Sequence, residues 1–303
     1  MNKRKIESYF NLSLCILLWA SIPVASKKIL AEISNIQMLF YSTILSFFVL
    51  GLVVLFERKV KVMKNYSVND YLVMSFLGFL GTYLFYILLY RAFALIPASE
   101  AYTLNFTWPI LVLILAFVLL KEEITVRKIA AILISFFGIV VIVTKGQIFS
   151  LSLSNIKGDS LALSGSFVFA FFSVLGKKYN FDKTVSAFIY FASGLIFVTL
   201  TMLFFSSVKP PPVNIWLWLL YNGIFVNGIS YIFWFKALEH GDTHIVSNAL
   251  YLTPFLSLIY ISIFLNEKIL LSSIIGLVII VLGIVVQSFR TQPLIKFIKS
   301  FLI

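Results

Sequence analysis

Charged residues are scarce in this sequence of 303 residues. Only 12% are Asp, Glu, Lys or Arg, whereas about 25% is usual in a soluble domain. Hydrophobic residues make up 61% of the chain, and the mean hydropathy is +1.03. Such a composition excludes a disordered chain and argues strongly against a soluble enzyme. It is typical of an integral membrane protein.

Side chains that form disulfides or bind metals are also rare. Cys15 is the sole cysteine, which excludes an intramolecular disulfide, and the two histidines are His240 and His244. The histidines have the i, i+4 spacing of a metal-binding pair on a helix, but Gly241 between them disfavours a helix there. No Walker-type loop is present, so we do not expect ATP as the energy source. The sequence therefore predicts no metal and no cofactor.

Long apolar runs are what the sequence has in abundance. A helix needs about 20 mostly apolar residues to cross the hydrocarbon core of a membrane. Segments that meet this requirement are 8–26, 36–56, 71–90, 98–120, 128–144, 158–176, 184–206, 214–235, 243–265 and 269–289. The predicted fold class is therefore an all-α integral membrane protein with ten transmembrane helices.

The net charge of +12 is better explained by membrane orientation than by nucleic-acid binding. If the N-terminus is cytoplasmic and ten spans alternate, 17 of the 24 Lys and Arg residues lie on the cytoplasmic side. Membrane proteins carry such an excess in their cytoplasmic loops. We therefore expect a multi-pass protein of the cell (inner) membrane with both termini in the cytoplasm. The expected partners are the lipid bilayer and a small-molecule substrate, without nucleic acid, and a monomer is expected.

The two halves of the chain resemble each other. A shift of 145 residues places Pro109 on Pro254 and Tyr86 on Tyr231, and the register holds without a gap from about residue 78 to residue 141. A shift of 150 residues relates the earlier parts of the two halves.

Each half contains five predicted spans, and this odd number makes the second half enter the membrane upside down. Inverted repeats around a site near the midplane are typical of secondary transporters. We predict a first repeat at 1–145 with spans one to five, and a second at 146–303 with spans six to ten. A duplicated membrane protein without a transport role is the alternative.

Several segments carry a resemblance to the drug/metabolite transporter superfamily, specifically to its EamA-domain branch. The resemblance covers nearly the whole chain. The segments in the first half are Ala98-Ser-Glu-Ala-Tyr-Thr-Leu-Asn-Phe-Thr-Trp-Pro109, Leu120-Lys-Glu122 and Phe137-Gly-Ile139. Those in the second half are Ala249-Leu-Tyr-Leu-Thr-Pro254, Leu265-Asn-Glu267 and Leu282-Gly-Ile284. Lys121 and Asn266 stand where the family usually has Gly.

The segment Asn105-Phe-Thr-Trp-Pro109 also resembles an Asn-Tyr-Leu-Trp-Pro run of the aromatic amino acid exporter branch. Here Phe106 and Thr107 replace Tyr and Leu. The resemblance implies a secondary transporter that exports small organic metabolites, above all amino acids, by alternating access between two inverted repeats. The alternatives are a membrane-embedded enzyme for a lipid-linked substrate, an uncoupled facilitator, and a small-multidrug-type efflux partner or structural subunit.

Polar and aromatic side chains on one face of a predicted span are candidates for substrate binding, because they gain nothing from contact with lipid tails. Helical spacing groups them into stripes on spans three, eight and nine. The candidate residues are Trp19, Tyr83, Tyr86, Glu100, Asn105, Trp108, Asn227, Tyr231, Trp234, His244, Asn248 and Tyr251. The alternative for Tyr and Trp is the aromatic belt at the membrane interface, which suits Tyr90, Tyr71 and Trp216-Leu-Trp218.

Three glutamates lie within or at the ends of predicted spans. Glu100 could carry a proton or bind an amine, since an ionisable group inside a span is costly. Its alternative is an interfacial position paired with Arg91. Glu122 and Glu267 end spans four and nine, and we expect them to cap neighbouring helices rather than bind a ligand.

Overall fold

A computed structural model describes residues 3–121, 126–147, 155–176, 178–240, 249–250 and 252–288. Within these residues the regular structure is helical, which confirms the predicted fold class. The α-helices are α1 (Lys3–Ala20), α2 (Ile22–Leu30), α3 (Asn35–Phe56), α4 (Val60–Lys64), α5 (Val68–Gly78), α6 (Phe85–Leu95), α7 (Ala98–Asn105), α8 (Trp108–Leu120), α9 (Val126–Val143), α10 (Ile156–Gly176), α11 (Lys183–Phe205), α12 (Trp216–Leu220), α13 (Ser230–His240), α14 (Leu252–Leu265) and α15 (Leu271–Ser288).

Several of these helices join into stretches that are long enough to cross a membrane. Among the described residues there are seven such stretches, and three shorter apolar helices lie within predicted spans five, nine and ten. The protein is therefore an all-α, multi-pass membrane protein. The number of ten crossings stays a prediction.

Prolines lie close to the starts of three helices. The chain turns at Ser21 between α1 and α2, two residues before Pro23, and again between α7 and α8 just before Pro109. In the second half, α14 begins two residues before Pro254. Proline has no N–H to donate to the carbonyl four residues earlier, so Pro23 and Pro109 cannot donate to the Trp19 and Asn105 carbonyls.

Two π-helical segments occur in repeat-related helices, at Phe79–Leu84 and Tyr221–Ile229. A shift of 145 residues in the sequence places the first segment within the second. Each packs against a helix of the other half, Phe79–Leu84 against α11 and Tyr221–Ile229 against α3. Single π-helical turns inside longer helices are frequent at functional sites.

Helices α9 and α15 pack through small residues. The Ser135 hydroxyl donates a hydrogen bond to the Ile280 carbonyl oxygen at 3.3 Å. A Cβ atom added at Gly276 would lie 2.8 Å from the carbonyl oxygen of Gly138. Only glycine allows the two backbones to approach this closely.

An ion-pair network joins the end of α3 to the start of α11. Lys59 Nζ lies 2.8 Å from Glu57 Oε2 and 3.1 Å from Asp182 Oδ2. Partial burial by itself would lower the pKa of Lys59, but the hydrogen bonds to these two carboxylates outweigh burial and raise it above its usual value. The network is therefore intact at neutral pH and connects the two halves at the predicted cytoplasmic end.

A candidate substrate cavity between the two halves

A cavity of about 60 Å³ lies inside the bundle where residues of both halves meet. It is bounded by the α1–α2 junction, α6, the α7–α8 break, α10 and α13, together with the residues around the start of α14. Its lining residues are Trp19, Ile22, Phe85, Tyr86, Leu89, Tyr102, Asn105, Phe106, Trp108, Phe169, Tyr231, Leu250 and Thr253. Five of the candidate residues, Trp19, Tyr86, Asn105, Trp108 and Tyr231, are therefore brought together here.

Residues related by the internal repeat meet at this cavity. The hydroxyl oxygens of Tyr86 and Tyr231, which are 145 residues apart, lie 3.5 Å from each other. Both side chains are buried. Trp19 and Phe169, which are related by the shift of 150 residues, also line the cavity.

Two polar atoms of the lining have no hydrogen-bond partner among the described residues. They are Asn105 Oδ1 and Thr253 Oγ1. Their residues are 6% and 1% exposed, so bulk water does not solvate them. A buried polar atom left unpaired costs about 1–3 kcal/mol. The cavity thus presents hydrogen-bonding capacity that a bound molecule can satisfy.

Aromatic contacts hold the cavity walls in place. The Trp19 indole N–H donates to Ser230 Oγ at 2.8 Å. The same ring lies 6.0 Å from the ring of Tyr231 and 5.8 Å from that of Trp234. On the opposite wall, Trp108 meets Phe169 edge to face at 5.3 Å. Trp234 is therefore positioned behind Trp19 and supports it.

Tyr83 lies apart from the cavity. Its hydroxyl is 2.7 Å from Thr201 Oγ1 of α11. Its ring packs against Phe79 and Phe197, and Phe197 is 37% exposed on the apolar perimeter. Although Tyr83 and Tyr86 are on the same helical stretch, the two side chains reach different surroundings.

Tyr90 and Asn227 belong to a buried polar network next to the cavity. The Tyr90 hydroxyl accepts hydrogen bonds from Asn222 at 3.2 Å and from Asn227 at 3.0 Å, and Asn222 also donates to Ser42 at 3.0 Å. Tyr90 is fully buried. The expectation that Tyr90 belongs to an interfacial belt is therefore wrong, because these polar partners hold it inside the bundle.

The remaining candidates of the ninth span, His244, Asn248 and Tyr251, lie outside the described residues, as does Glu122.

Glu267 caps the start of α7. Its carboxylate accepts hydrogen bonds from the backbone N–H of Ala98 at 2.9 Å and of Ser99 at 3.0 Å, and from the Ser99 hydroxyl. A carboxylate at this position satisfies free N–H groups and complements the helix dipole. The predicted capping role is thus confirmed for Glu267.

Glu100 is buried at the same end of the bundle, 4% exposed, and its nearest charged neighbour is Asp159 of α10. Lys145 and Glu267 are the next charges that act on it. The suggested pairing with Arg91 is wrong, since Arg91 is an exposed side chain. Glu100 is therefore one residue of a carboxyl pair outside the cavity.

Thr253 and Phe169 line the cavity but are absent from the candidates drawn from the sequence. The repeat contained the signal for both. Thr253 is the equivalent of Trp108 under the shift of 145 residues, and Phe169 is the equivalent of Trp19 under the shift of 150. The stripes of polar and aromatic residues did not include them because neither stands out within its own helix.

Two larger grooves, of about 390 and 340 Å³, are present elsewhere on the bundle. The first is lined by apolar side chains such as Phe48 and Leu55, which are 63% and 61% exposed. The second lies between Leu17 and Phe264 and is also largely apolar. Such apolar surfaces are suited to contact with lipid tails. The candidate site is the smaller cavity, because its lining includes buried polar atoms without hydrogen-bond partners.

Comparison with known families agrees with this architecture. Residues 8–144 and 156–289 both match the EamA-like transporter family. The chain belongs to this family. Because the two matched segments cover most of the sequence, the EamA-like character applies to both halves, and the protein is a membrane transporter.

Curated relatives of this EamA-like protein carry transporter names. An uncharacterized transporter of Archaeoglobus fulgidus is 30% identical over 283 residues, 92% of this chain and 96% of its own. The uncharacterized transporter YyaM of Bacillus subtilis is 26% identical and covers 72% of each chain. A solved structure described as "Crystal structure of protein" has a TM-score of 0.68 at 19% identity and covers 93% of this chain and 96% of its own. That likeness concerns the fold alone.

Proposed function

We propose that this EamA-like protein is a secondary transporter that exports small organic metabolites, with amino acids as the substrate class. In this proposal the substrate binds in the cavity between Tyr86 and Tyr231, and the repeats 1–145 and 146–303 move against each other to expose the cavity alternately to each side. The observation that carries the proposal is the buried cavity with unpaired Asn105 Oδ1 and Thr253 Oγ1.

Contacts between repeat-related residues support the inverted arrangement. Tyr86 meets Tyr231, and Ser135 meets Ile280, each pair being 145 residues apart. A residue that touches its own equivalent lies close to the axis that relates the two repeats. Tyr86 and Tyr231 lie in stretches long enough to span a membrane, and Ser135 and Ile280 lie in shorter apolar helices. Contacts between equivalent residues are expected where a pseudo-two-fold axis relates two inverted repeats.

The broken helices at the cavity support a role in binding. Asn105 ends α7 and Trp108 begins α8, so the interruption is at the cavity wall. Discontinuous helices that offer free backbone groups to a substrate near the midplane are a common device of secondary transporters. Pro109 maintains the interruption, because it cannot donate a hydrogen bond to the Asn105 carbonyl.

The size of the cavity supports movement during binding. A volume of about 60 Å³ is small beside the roughly 300–1,000 Å³ of typical ligand pockets. An amino acid needs more room, so the walls must separate to admit it. Aromatic rings and an amide are suitable groups for stacking on an organic side chain and for hydrogen bonding to its polar atoms.

A counterflow screen tests this function. Proteoliposomes containing the purified protein are preloaded with one unlabelled amino acid or metabolite at a time, and uptake of its radiolabelled form is measured. We expect uptake above that of protein-free vesicles for at least one amino acid, and weaker uptake with Asn105→Ala. Tyr83→Ala is the matched control outside the cavity. Absence of uptake for every amino acid contradicts the substrate class.

A further inference from the structure

Two buried carboxyl groups lie next to each other at the end of the bundle where α7 and α10 begin. Glu100 is in the first turn of α7 and Asp159 is in the first turn of α10. Each residue is 4% exposed. The two carboxyl groups lie close enough to interact electrostatically. Two adjacent ionised carboxylates repel each other, and a proton on one of them removes this repulsion.

The usual donors for a buried carboxylate are engaged elsewhere. Glu267 occupies the N–H groups of Ala98 and Ser99 at the start of α7. At the start of α10, the N–H of Gly158 donates to Asn155 Oδ1 at 3.0 Å. Among the described residues, Glu100 Oε1 and both carboxylate oxygens of Asp159 have no hydrogen-bond partner. The pair is therefore poorly prepared to hold two negative charges.

The charges near the two carboxyl groups favour the binding of one proton. Lys145 acts on both carboxyl groups, and Glu267 acts on Glu100. Lys27 donates to the Ile96 carbonyl oxygen at 2.7 Å and its charge interacts with Glu267. Three carboxyl groups thus share two lysines, and a single proton balances the group. Lys27 is half-buried, whereas Lys145 is exposed to solvent, as are the more distant cations at this end, Lys28, Arg91, Lys157 and Lys268.

The pair has no counterpart in the other half of the chain. The same shifts that align the repeats place Ile245 at the position of Glu100 and Tyr9 at the position of Asp159. A purely architectural carboxylate would be expected in both repeats, and the capping residue Glu267 does have a glutamate, Glu122, at its equivalent sequence position. The Glu100–Asp159 pair therefore makes the two ends of the bundle chemically different.

Helix α7 connects this pair to the cavity. It has eight residues, with Glu100 near its start and Asn105 at its end, where the chain breaks before α8. The Tyr102 hydroxyl in between donates to the Trp19 carbonyl oxygen at 2.9 Å. A change of charge at Glu100 and a substrate at Asn105 thus act on opposite ends of one short helix.

We propose that Glu100 and Asp159 form a proton-binding site at the outer end of the protein, and that its loading couples substrate efflux to proton entry. The inference rests on the proposed transport function. One proton shared by the two carboxyl groups removes the repulsion between them and lets α7 and α10 stay together. Loss of this proton separates the pair and shifts α7, and with it the cavity wall at Asn105.

Infrared spectroscopy tests the site without a substrate. Purified wild-type protein is titrated across neutral pH, and the carbonyl stretch of protonated buried carboxyl groups is recorded. Because the band belongs to a shared proton, we expect both Glu100→Gln and Asp159→Asn to remove its pH-dependent part. Glu32→Gln, an exposed carboxylate at the same predicted side, is the matched control and should keep it. An unchanged band in both variants overturns the proton site.

Transport measurements test the coupling. A pool of radiolabelled standard amino acids is supplied to proteoliposomes, first in counterflow and then with a pH gradient. Both variants should keep counterflow and lose gradient-driven accumulation, while Glu32→Gln keeps both. Normal accumulation by Glu100→Gln overturns the coupling. If wild-type protein lacks counterflow as well, the proposed substrate class fails, and the infrared band still decides the proton site.

Discussion

The hydroxyl groups of Tyr86 and Tyr231 lie 3.5 Å apart in the interior of the protein, although 145 residues separate them in the sequence. The two tyrosines are equivalent positions of the internal repeat. Their contact therefore marks the point where one half of this EamA-like transporter meets its equivalent in the other half. The candidate cavity surrounds this point.

Replacement of either tyrosine by phenylalanine tests its part in substrate binding. Tyr86→Phe and Tyr231→Phe keep the ring and remove the hydroxyl, whose hydrogen bond is worth about 1 kcal/mol. We expect the half-saturation concentration in counterflow to be several-fold higher, and the amount of protein in the membrane to be normal. Tyr83→Phe removes a hydroxyl that bonds to Thr201 outside the cavity and should leave the affinity unchanged. Equal affinity in all three variants contradicts binding at the tyrosine pair.

Removal of the cap on α7 should destabilise the protein. Glu267→Ala leaves the N–H groups of Ala98 and Ser99 without their acceptor, and loss of a cap costs about 0.5–2 kcal/mol. We expect a lower apparent Tm in detergent. Glu32→Ala serves as the control, because Glu32 is exposed and accepts only a long side-chain hydrogen bond, 3.3 Å, from Asn214. An unchanged Tm for Glu267→Ala means that the cap contributes nothing to stability.

A methyl group added between α9 and α15 should also destabilise the protein. In Gly276→Ala the new Cβ lies 2.4 Å from Ile142 Cγ1 and 2.8 Å from the Gly138 carbonyl oxygen. Overpacking of this kind costs about 1–3 kcal/mol. Gly176→Ala is the matched control, since no described atom lies within 4 Å of its added Cβ. In thermal unfolding followed by tryptophan fluorescence, Gly276→Ala should have a lower midpoint than Gly176→Ala. Identical midpoints would contradict the close packing of the two helices.

Single cysteines test the orientation in the membrane. The background is Cys15→Ala, which removes the native buried thiol. In intact cells, Lys61→Cys and Lys178→Cys should be protected from a membrane-impermeant thiol reagent, because the distribution of Lys and Arg places them in the cytoplasm. Lys145→Cys and Lys209→Cys should be labelled. Labelling of the first two positions would rule out the proposed topology.

The sequence predicts the helical membrane fold and much of the cavity for identifiable physical reasons. Apolar runs of sufficient length determine spanning helices largely by themselves. The shift of 145 residues relates Tyr86 to Tyr231, and residues on the axis of a repeat must meet. Glu267 was predictable as a cap because it ends a span beside the start of another helix.

Other features depend on packing that the sequence does not encode locally. Helical spacing puts Tyr83, Tyr86 and Tyr90 on one stripe, yet each has different surroundings in the structure. Those surroundings depend on which helix packs against each turn and on the π-helical segment at Phe79–Leu84. The pairing of Glu100 with Asp159 likewise joins α7 to α10 across the boundary between the halves, where the sequence has no periodic signal.

Access to the cavity from both sides of the membrane is the most direct test of the transport mechanism. In the Cys15→Ala background, Asn105→Cys and Thr253→Cys place thiols on the cavity wall, and Tyr83→Cys places one on the apolar perimeter. A small, charged, impermeant thiol reagent is applied to right-side-out and to inside-out vesicles. We predict that both cavity thiols react from either side and that the thiol at position 83 reacts from neither. Reaction of the cavity thiols from one side only, or from none, would contradict alternating access.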